Sequence, residues 1–513
     1  MSSLLSRLNP VPSFSAYTGP YDVGTQELEV PISDLPTGSP PPDANITTVS
    51  FRIFYPCEPT KPRSPYWLPS PQGEYFRGYA RFLSAGPRLA SFLSYLPILR
   101  LIFHTTIPAS QDARLLPPPE KIGRWPVMVF SHGLGGTKNA YSHLTGSLAS
   151  HGMVVVAPEH RDGSAPISFI HSTDGVPAKA VDYRALPHKP SPEVDEDRNK
   201  QLQIRLWELG LIYEMLLKLD SSPAQLRNIG ARDSQNPDLL GMFASVLDVH
   251  APGKISWSGH SFGAATMVQF IKSVYYHESR PSNGYTPLYC PSPDSPLVSQ
   301  VTPSTPITLL DLWTLPLLSS PTSYLWSKPL PAFNSRGGSP PLAILSEAFF
   351  RWTSNMQGTK RAISSPVGEK SALEAKPHIF YSISSAHLSQ SDFGPLFPWA
   401  TRKIFKAEDP ERTLRLNVRA ILESLRRSGV QVADTSALDM ELEGSNTPGP
   451  EQPEENQNFP LAQDHKILAT DGSVNGWIAI PLDDSKGFAN AKGSATEVKH
   501  PSDAVVQGEV MKE

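Results

Sequence analysis

The chain has 513 residues, a formal net charge of −4 and two cysteines, Cys57 and Cys290, far apart in the sequence. This charge gives no reason to expect nucleic acid as a partner, and the cysteines are too few for a disulfide framework. A hydrophobic fraction of 39% allows a sizeable core, and 54 prolines predict long irregular insertions around it. Because the first 20 residues also lack the apolar run of a secretory signal, we expect a reducing, cytoplasmic location.

The first half of the chain predicts strands separated by a helix. Residues 1–47 are rich in turn signals and predict an irregular N-terminal arm packing on the core. Thr48–Tyr55 alternates apolar and polar residues, which predicts a strand with one buried face. Trp125–Phe130 and Met153–Ala157 are short apolar runs of the kind found in central parallel strands, and the segment between them, Tyr141–Ser150, has a helical pattern.

The same alternation continues further along the chain. Leu202–Leu219 carries leucine and isoleucine at helical spacing and predicts an amphipathic helix. Ile307–Leu310, Leu342–Leu345 and His378–Ile383 predict further strands. Repeated β/α units of this kind predict an α/β protein with a doubly wound, mostly parallel sheet and helices on both faces.

One short segment, Gly259-His-Ser-Phe-Gly263, stands between a strand-like run and a helical pattern. This is the G-x-S-x-G form of a nucleophile elbow, in which glycines allow a sharp strand-to-helix turn and expose the central serine, here Ser261. The pentapeptide alone is weak, because a glycine-rich turn with an idle serine has the same pattern. The strand before it and the helix after it favour the elbow.

A serine hydroxyl is a poor nucleophile unless a base accepts its proton and a third group orients that base. In α/β-hydrolases an acid and then a histidine follow the serine along the chain. Asp311 directly follows a predicted strand, and His387 follows another strand after a short turn, so both are expected at the carboxyl edge of the sheet. Asp392 competes for the role of the acid, although it follows no strand. The alternative is a turn or cap role for Asp311 and a surface position for His387.

Two backbone amides are candidates for an oxyanion hole. Phe262 follows the candidate nucleophile, and Leu134 lies in the glycine-rich segment Ser131–Gly135, where the backbone can approach a ligand closely. An ordinary glycine-rich turn is the alternative. Three nearby histidines precede or adjoin the serine and are expected to be structural hydrogen-bonding residues rather than the base: His132, His160 and His260.

Several segments, in the same order, carry a likeness that goes beyond single motifs. They are Thr18–Gly24, Phe51–Pro56, Tyr75–Leu83, Phe130–Gly135, Leu148–Gly152, Glu159–Ser164, Arg198–Gln201, Gly259–Gly263, Leu310–Pro316 and Leu345–Glu347. Together they resemble the platelet-activating-factor acetylhydrolases of the plasma and intracellular type II kind, which are group VII phospholipases A2. The likeness covers most of residues 18–430.

The resemblance implies an α/β-hydrolase fold in which Ser261 is the nucleophile, Asp311 the acid and His387 the base. The amides of Leu134 and Phe262 would form the oxyanion hole. It also implies a calcium-independent esterase, without a metal or cofactor, that removes acetyl or other short or oxidised acyl groups from the sn-2 position of phospholipids. Two alternatives stay open: an esterase of the same fold for soluble short-chain or polyester substrates, and a non-catalytic lipid-binding protein.

The domain organisation follows from these patterns. Residues 48–430 are expected to form the catalytic domain, with proline-rich surface insertions near 280–305 and 319–341 that have no counterpart in the family. Residues 431–513 carry 15 acidic and 5 basic side chains and predict a disordered acidic tail. Ala264 stands where the family usually has a second glycine after the elbow.

Residues 87–103 repeat apolar side chains at helical spacing and are too short to cross a bilayer. They predict either a helix on a membrane surface, which would make the protein peripherally membrane-associated, or a helix packed on the core. The residues expected to touch lipid are Phe92, Leu96, Leu99 and Phe103. The sequence gives no basis for an oligomeric state.

Overall fold

The computed structural model describes residues 11–36, 40–61, 63–83, 99–173, 175–230, 239–279, 285–364, 376–440 and 464–482. The strands in these ranges are β1 Val23–Pro31, β2 Thr48–Pro56, β3 Ser110–Gln111, β4 Trp125–Ser131, β5 Val154–Glu159, β6 Ile167–Ile170, β7 Lys179–Asp182, β8 Leu247–Asp248, β9 Ser256–His260, β10 Ile307–Leu310, β11 Leu342–Ser346, β12 His378–Ser382 and β13 Trp477–Ala479.

The α-helices in the same ranges are α1 Gln72–Phe82, α2 Ser142–Ser150, α3 Pro192–Ser221, α4 Phe262–Tyr275, α5 Leu297–Gln300, α6 Ser320–Trp326, α7 Glu347–Arg351, α8 Thr353–Ala362, α9 Phe393–Leu396, α10 Pro398–Phe405, α11 Pro410–Arg427 and α12 Ala437–Met440. The long helix α3 contains the predicted amphipathic segment and begins where the Ser191 hydroxyl accepts a hydrogen bond from the Val194 amide.

The main sheet has the strand order β13-β12-β11-β10-β9-β4-β5-β2-β1-β3, with β8 paired to the start of β4. The strands from β12 to β5 in this order run parallel to one another. Strand β2 pairs antiparallel with β5, β1 with β2, and β13 with β12. The molecule therefore has the predicted α/β-hydrolase fold, a mostly parallel sheet whose central strands meet their carboxyl ends at one edge.

Helices cover both faces of this sheet because alternate residues of each buried strand point to opposite sides. In β4, Val127 and Val129 belong to the core that packs under helices α3 and α4. Met128 and Phe130 belong to the core on the other face, under helices α2 and α11. The side chains of β4 are all buried, which explains why its sequence is a continuous apolar run.

Two parts of the chain expected to be irregular contain strands of the main sheet. The N-terminal arm contains β1, which pairs with β2 over nine residues. The sequence pattern did not predict this strand, because three of its buried residues are polar, namely Thr25, Gln26 and Glu29. Burial of such groups is tolerated where they are hydrogen-bonded, and the Thr25 hydroxyl donates to the Ile53 carbonyl at 2.9 Å.

The acidic tail is also ordered over the part that the structure describes. Strand β13 extends the sheet beside β12, and Trp477 is buried against Phe380. The carboxylate of Asp464 accepts two hydrogen bonds from the buried guanidinium of Arg419 in α11. The prediction of disorder is therefore wrong for residues 431–440 and 464–482, and residues 441–463 and 483–513 lie outside the described part.

The described parts of the two proline-rich insertions pack on the domain. Segment 285–305 contains α5, and segment 319–341 contains α6 and a short 3-10 helix. Leu297, Leu330 and Phe333 join the core under helix α4. None of the described helices is both long and apolar enough to cross a membrane.

Candidate active site

The candidate nucleophile lies at the turn between β9 and α4. Ser261 has φ 57° and ψ −117°, a conformation that L-residues rarely adopt. A side chain at Gly259 would place its Cβ 2.5 Å from the backbone of Gly263, and one at Gly263 would place it 2.0 Å from the Ser131 carbonyl oxygen. Glycine is therefore required on both sides of the turn by close backbone approach.

Asp311 and His387 are brought together at the same edge, 76 positions apart in the chain. His387 Nδ1 lies 2.8 Å from Asp311 Oδ2, and both side chains are buried. Ser346, at the end of β11, donates to the same carboxylate from its amide at 2.6 Å and its hydroxyl at 2.8 Å. Burial by itself would raise the pKa of Asp311, but the neighbouring imidazoles of His260 and His387 outweigh it and hold that pKa below its usual value.

The imidazole of His387 is held on both faces. It stacks on the ring of Phe349, with centroids 4.4 Å apart and planes 8° apart, and its other neighbour is His260 at 4.3 Å. His260 precedes Ser261 directly, so the imidazole lies next to the turn. Ser261 is 1% exposed, and its hydroxyl has no hydrogen-bond partner among the described residues.

The segment Ser131–Gly136, here called the glycine loop, lies against the serine. A Cβ added to Gly133 would lie 2.9 Å from the Ser261 Cβ. The Gly133 amide donates to the Tyr141 hydroxyl at 3.2 Å, and the Gly135 amide donates to the Ser164 carbonyl at 2.8 Å. Between them, the Leu134 amide has no acceptor within the described part of the chain.

A buried arginine that the sequence analysis did not single out supports this loop. Arg205 of α3 donates to the His132 carbonyl at 2.9 Å and to the Asp162 carboxylate at 2.7 Å. It also donates to the Ser164 hydroxyl at 2.5 Å, and its guanidinium lies 4.4 Å from the centre of the Phe262 ring. An isolated arginine within an amphipathic pattern gives no sequence signal, because its partners come from three separate segments.

The three nearby histidines are buried and hydrogen-bonded. His132 contacts the Gly133 carbonyl, and His160 lies between the Ser131 hydroxyl and the Glu208 carboxylate at 2.8 and 2.7 Å. Burial lowers the pKa of His132 and His160 well below the usual value, so both are neutral. His260 Nδ1 lies 2.7 Å from the Tyr141 hydroxyl.

Asp392, the competing candidate for the acid, is used elsewhere. Its carboxylate accepts hydrogen bonds at the start of α2 from the Ser142 amide and hydroxyl and from the His143 amide. It also accepts one from the Trp67 indole at 2.9 Å. This carboxylate caps a helix and fixes the loop that carries His387, so it is not available to orient the imidazole.

The residues expected to touch lipid fall mostly outside the described part. Phe92 and Leu96 lie outside it, and the side chain of Leu99 is not described. Phe103 lies in a short 3-10 helix and packs on the Phe76 ring of α1, with centroids 5.4 Å apart. Of the two expectations for this segment, a membrane-surface helix or a helix packed on the core, the position of Phe103 fits packing on the protein.

One group of the described residues has the composition of a metal-binding site. His260, Asp311 and His387 form a group whose ligand atoms lie within 4.8 Å of one another. Two of these atoms already form the hydrogen bond between His387 and Asp311. The group therefore has the geometry of an imidazole held in one orientation and one tautomer by a carboxylate.

Comparison with known proteins identifies the family. Residues 8–447 match the family described as platelet-activating factor acetylhydrolase, isoform II. The chain belongs to this family. The family is one of acetylhydrolases, so this protein is a hydrolase of the lipase and esterase type.

Relatives of the platelet-activating factor acetylhydrolase family cover the chain to different extents. A putative phospholipase A2 of Schizosaccharomyces pombe is 29% identical over an alignment of 459 positions, which covers 81% of this chain and 92% of that protein. The platelet-activating factor acetylhydrolase of Canis lupus familiaris is 31% identical over 225 residues, 43% of this chain and 46% of that enzyme. That of Cavia porcellus is 30% identical, over 49% of this chain and 51% of that enzyme. The chain thus matches about half the length of the two mammalian relatives.

One solved structure that aligns with this chain is a ferulic acid esterase from Streptomyces cinnamoneus. Its TM-score is 0.43 at 16% sequence identity, over 81% of this chain and 93% of that chain.

Proposed function

We propose that the protein is a calcium-independent serine esterase that hydrolyses short or oxidised sn-2 acyl groups of phospholipids through an acyl-enzyme. The observation that carries the proposal is the 2.8 Å contact between His387 and Asp311, next to a serine in a strained elbow conformation. Membership of the platelet-activating factor acetylhydrolase family supports the phospholipid substrate.

In the proposed reaction Ser261 Oγ attacks the ester carbonyl carbon while His387 accepts its proton. Asp311 holds the imidazole in the tautomer with a proton on Nδ1 and stabilises the imidazolium that forms. The tetrahedral oxyanion is bound by the Leu134 and Phe262 amides. His387 then gives the proton to the leaving lysophospholipid oxygen, and a water molecule hydrolyses the acyl-enzyme by the same route.

The free Ser261 hydroxyl fits this scheme, since catalytic hydrogen bonds are often long before substrate binds and shorten in the complex. The low exposure of Ser261 and His387, 1% and 5%, supports a small acyl group rather than a long unmodified chain. The stacked ring of Phe349 further narrows the space around the base.

The direct test is labelling with a fluorophosphonate probe and assay of a series of phosphatidylcholines with acetyl, hexanoyl and palmitoyl groups at sn-2, in the presence of EGTA. We expect labelling of the wild type, no labelling of Ser261→Ala, and activity that falls as the acyl chain lengthens. Activity restricted to soluble esters would favour the soluble-ester alternative. Absence of labelling in a folded wild type would favour a lipid-binding protein.

We further propose that helix α10 is the part that contacts a phospholipid surface. It carries the exposed residues Trp399 and Ile404, 67% and 41% exposed, and Phe397 precedes it at 37%. Arg402 and Lys403 are exposed on the same helix. Aromatic and aliphatic side chains beside cationic ones are typical of helices that lie in an anionic membrane interface.

The test of this surface is Trp399→Ala, with Leu438→Ala as a matched control because Leu438 is 60% exposed on another helix. We expect Trp399→Ala to weaken binding to vesicles of phosphatidylcholine and phosphatidylserine about tenfold, from the apolar area lost. Hydrolysis of p-nitrophenyl acetate should not change in either variant. Equal vesicle binding by both variants would contradict this surface.

A further inference from the structure

The glycine loop and the carboxylate of Asp311 are connected by a second route that does not pass through Ser261. The Gly133 amide donates to the Tyr141 hydroxyl at 3.2 Å, and that hydroxyl lies 2.7 Å from His260 Nδ1. His260 Nε2 in turn lies 3.9 Å from Asp311 Oδ2. All of these side chains are buried, so water does not compete for the contacts.

The direction of the hydrogen bonds along this route follows from proton counting. The Tyr141 oxygen already accepts from the Gly133 amide, so its single proton is free to point at His260. Burial raises the pKa of Tyr141 well above its usual value and lowers that of His260 to about 4, so the phenol stays protonated and the imidazole stays neutral. The Tyr141 hydroxyl therefore donates to Nδ1, and the one proton of the imidazole is on Nε2.

The Nε2–H of His260 then faces Asp311. At 3.9 Å it exceeds hydrogen-bond distance, and Nε2 has no other partner among the described residues. A ring movement of about 1 Å would close the bond. At the other end, the bond from the Gly133 amide to Tyr141 anchors the glycine loop one residue before the Leu134 amide.

We propose that Tyr141 and His260 form a relay that holds the glycine loop and the Asp311 carboxylate in one arrangement. Tyr141 and His260 are then positioning residues for the esterase reaction. The inference rests on the proposed function, since it assigns the relay to the amide and the acid of that mechanism. A displaced oxyanion donor costs turnover rather than binding, because the oxyanion exists only in the transition state.

The test is Tyr141→Phe, assayed with p-nitrophenyl acetate and by the rate of fluorophosphonate labelling. We expect kcat and the labelling rate to fall about 10- to 100-fold, less than the loss of an oxyanion donor itself, with KM within about twofold. Tyr55→Phe is the matched control, because Tyr55 lies in β2 and its buried hydroxyl donates to the Ala113 carbonyl at 2.7 Å, outside the proposed relay. That variant should lower Tm and leave kcat unchanged.

A double variant tests whether the two residues act as one unit. His260→Gln keeps an N–H donor near the position of Nε2 for Asp311, but it has no acceptor at the position of Nδ1, where Tyr141 donates. If the relay exists, Tyr141→Phe combined with His260→Gln loses no more activity than the worse single variant. Losses that multiply, or a Tyr141→Phe variant that matches Tyr55→Phe in kcat, would overturn the relay alone. A wild type that neither labels nor hydrolyses the ester would overturn the relay and the proposed function together.

Discussion

Two buried polar clusters of this protein use their hydrogen-bonding groups in different ways. In the antiparallel part of the sheet, the Glu29 carboxylate accepts from the Thr48 hydroxyl at 2.6 Å and from the His171 amide at 2.8 Å, and it also pairs with the His171 ring. At the carboxyl edge, the Ser261 hydroxyl and His260 Nε2 are equally buried but have no partner among the described residues.

The difference has a physical meaning. A buried polar group without a partner costs about 1–3 kcal/mol of stability, and its hydrogen-bonding capacity stays free for another group. The Glu29 cluster contributes to stability, whereas the hydroxyl and ring nitrogen at the elbow stay available to a substrate or to a group that moves during the reaction. Variants of the two clusters should therefore separate activity from stability.

The largest effect is expected for Asp311→Asn, which keeps the shape of the side chain and removes the charge that orients His387. We expect kcat to fall about 10⁴-fold while the variant still unfolds cooperatively from a native fold. The measurement is steady-state hydrolysis of a short-chain ester beside circular dichroism melting. Glu29→Gln serves as the control from the other cluster, and its kcat should equal that of the wild type. Equal kcat for Asp311→Asn and the wild type would remove the acid from the mechanism.

The next effect concerns the elbow itself. Gly263→Ala places a Cβ 2.0 Å from the Ser131 carbonyl oxygen, where backbone must move. We expect a loss of about 3 kcal/mol in the free energy of unfolding and loss of activity. Ala264→Gly at the neighbouring position is the matched control, and it should lose only about 1 kcal/mol through helix propensity and keep its activity. Urea unfolding of both variants checks this, and similar losses would argue against the close approach.

The Glu29 cluster predicts a dependence of stability on pH. Burial opposes ionisation of Glu29, but hydrogen bonds from His171 and Thr48 and the charge of Arg161 outweigh it and lower the pKa from 4.5 to about 2. The depressed pKa means that this stabilisation is present above about pH 4.5 and is lost as pH falls towards 2. Glu29→Gln should therefore cost about 3 kcal/mol at pH 7 and progressively less below pH 4.5. Urea unfolding at pH 7, 4.5 and 3 measures the difference, and a constant difference would contradict the assignment.

The smallest effect is expected for Ser258→Ala in strand β9, just before the elbow. The buried Ser258 hydroxyl has no partner in the described part of the chain. Removing it removes an unsatisfied group, so the free energy of unfolding should stay within about 0.5 kcal/mol of the wild type or rise. Thermal melting decides this, and a loss above about 1 kcal/mol would show that the hydroxyl is bonded in solution.

The sequence by itself determined the features that depend on neighbours along the chain. Apolar runs such as Trp125–Phe130 and Ile307–Leu310 predicted the central strands, because burial on both faces requires them to be continuous. The G-x-S-x-G turn predicted the position of Ser261, since only glycine fits where backbone approaches backbone. Asp311 and His387 each follow a predicted strand, which was enough to expect both side chains at one edge of the sheet. The structure places them in contact.

Only the tertiary structure decided which polar residues share a cluster. Strand β1 was not visible in the sequence, because buried polar residues such as Thr25 and Glu29 have hydrogen-bond partners that are distant in the chain and leave no periodic apolar pattern. Arg205 and Tyr141 were missed for the same reason, since the groups that they hold come from separate segments. Local sequence patterns arise from burial, because whether a residue is apolar depends on that residue alone. A hydrogen-bond network depends on pairs of residues that meet only after the sheet has assembled.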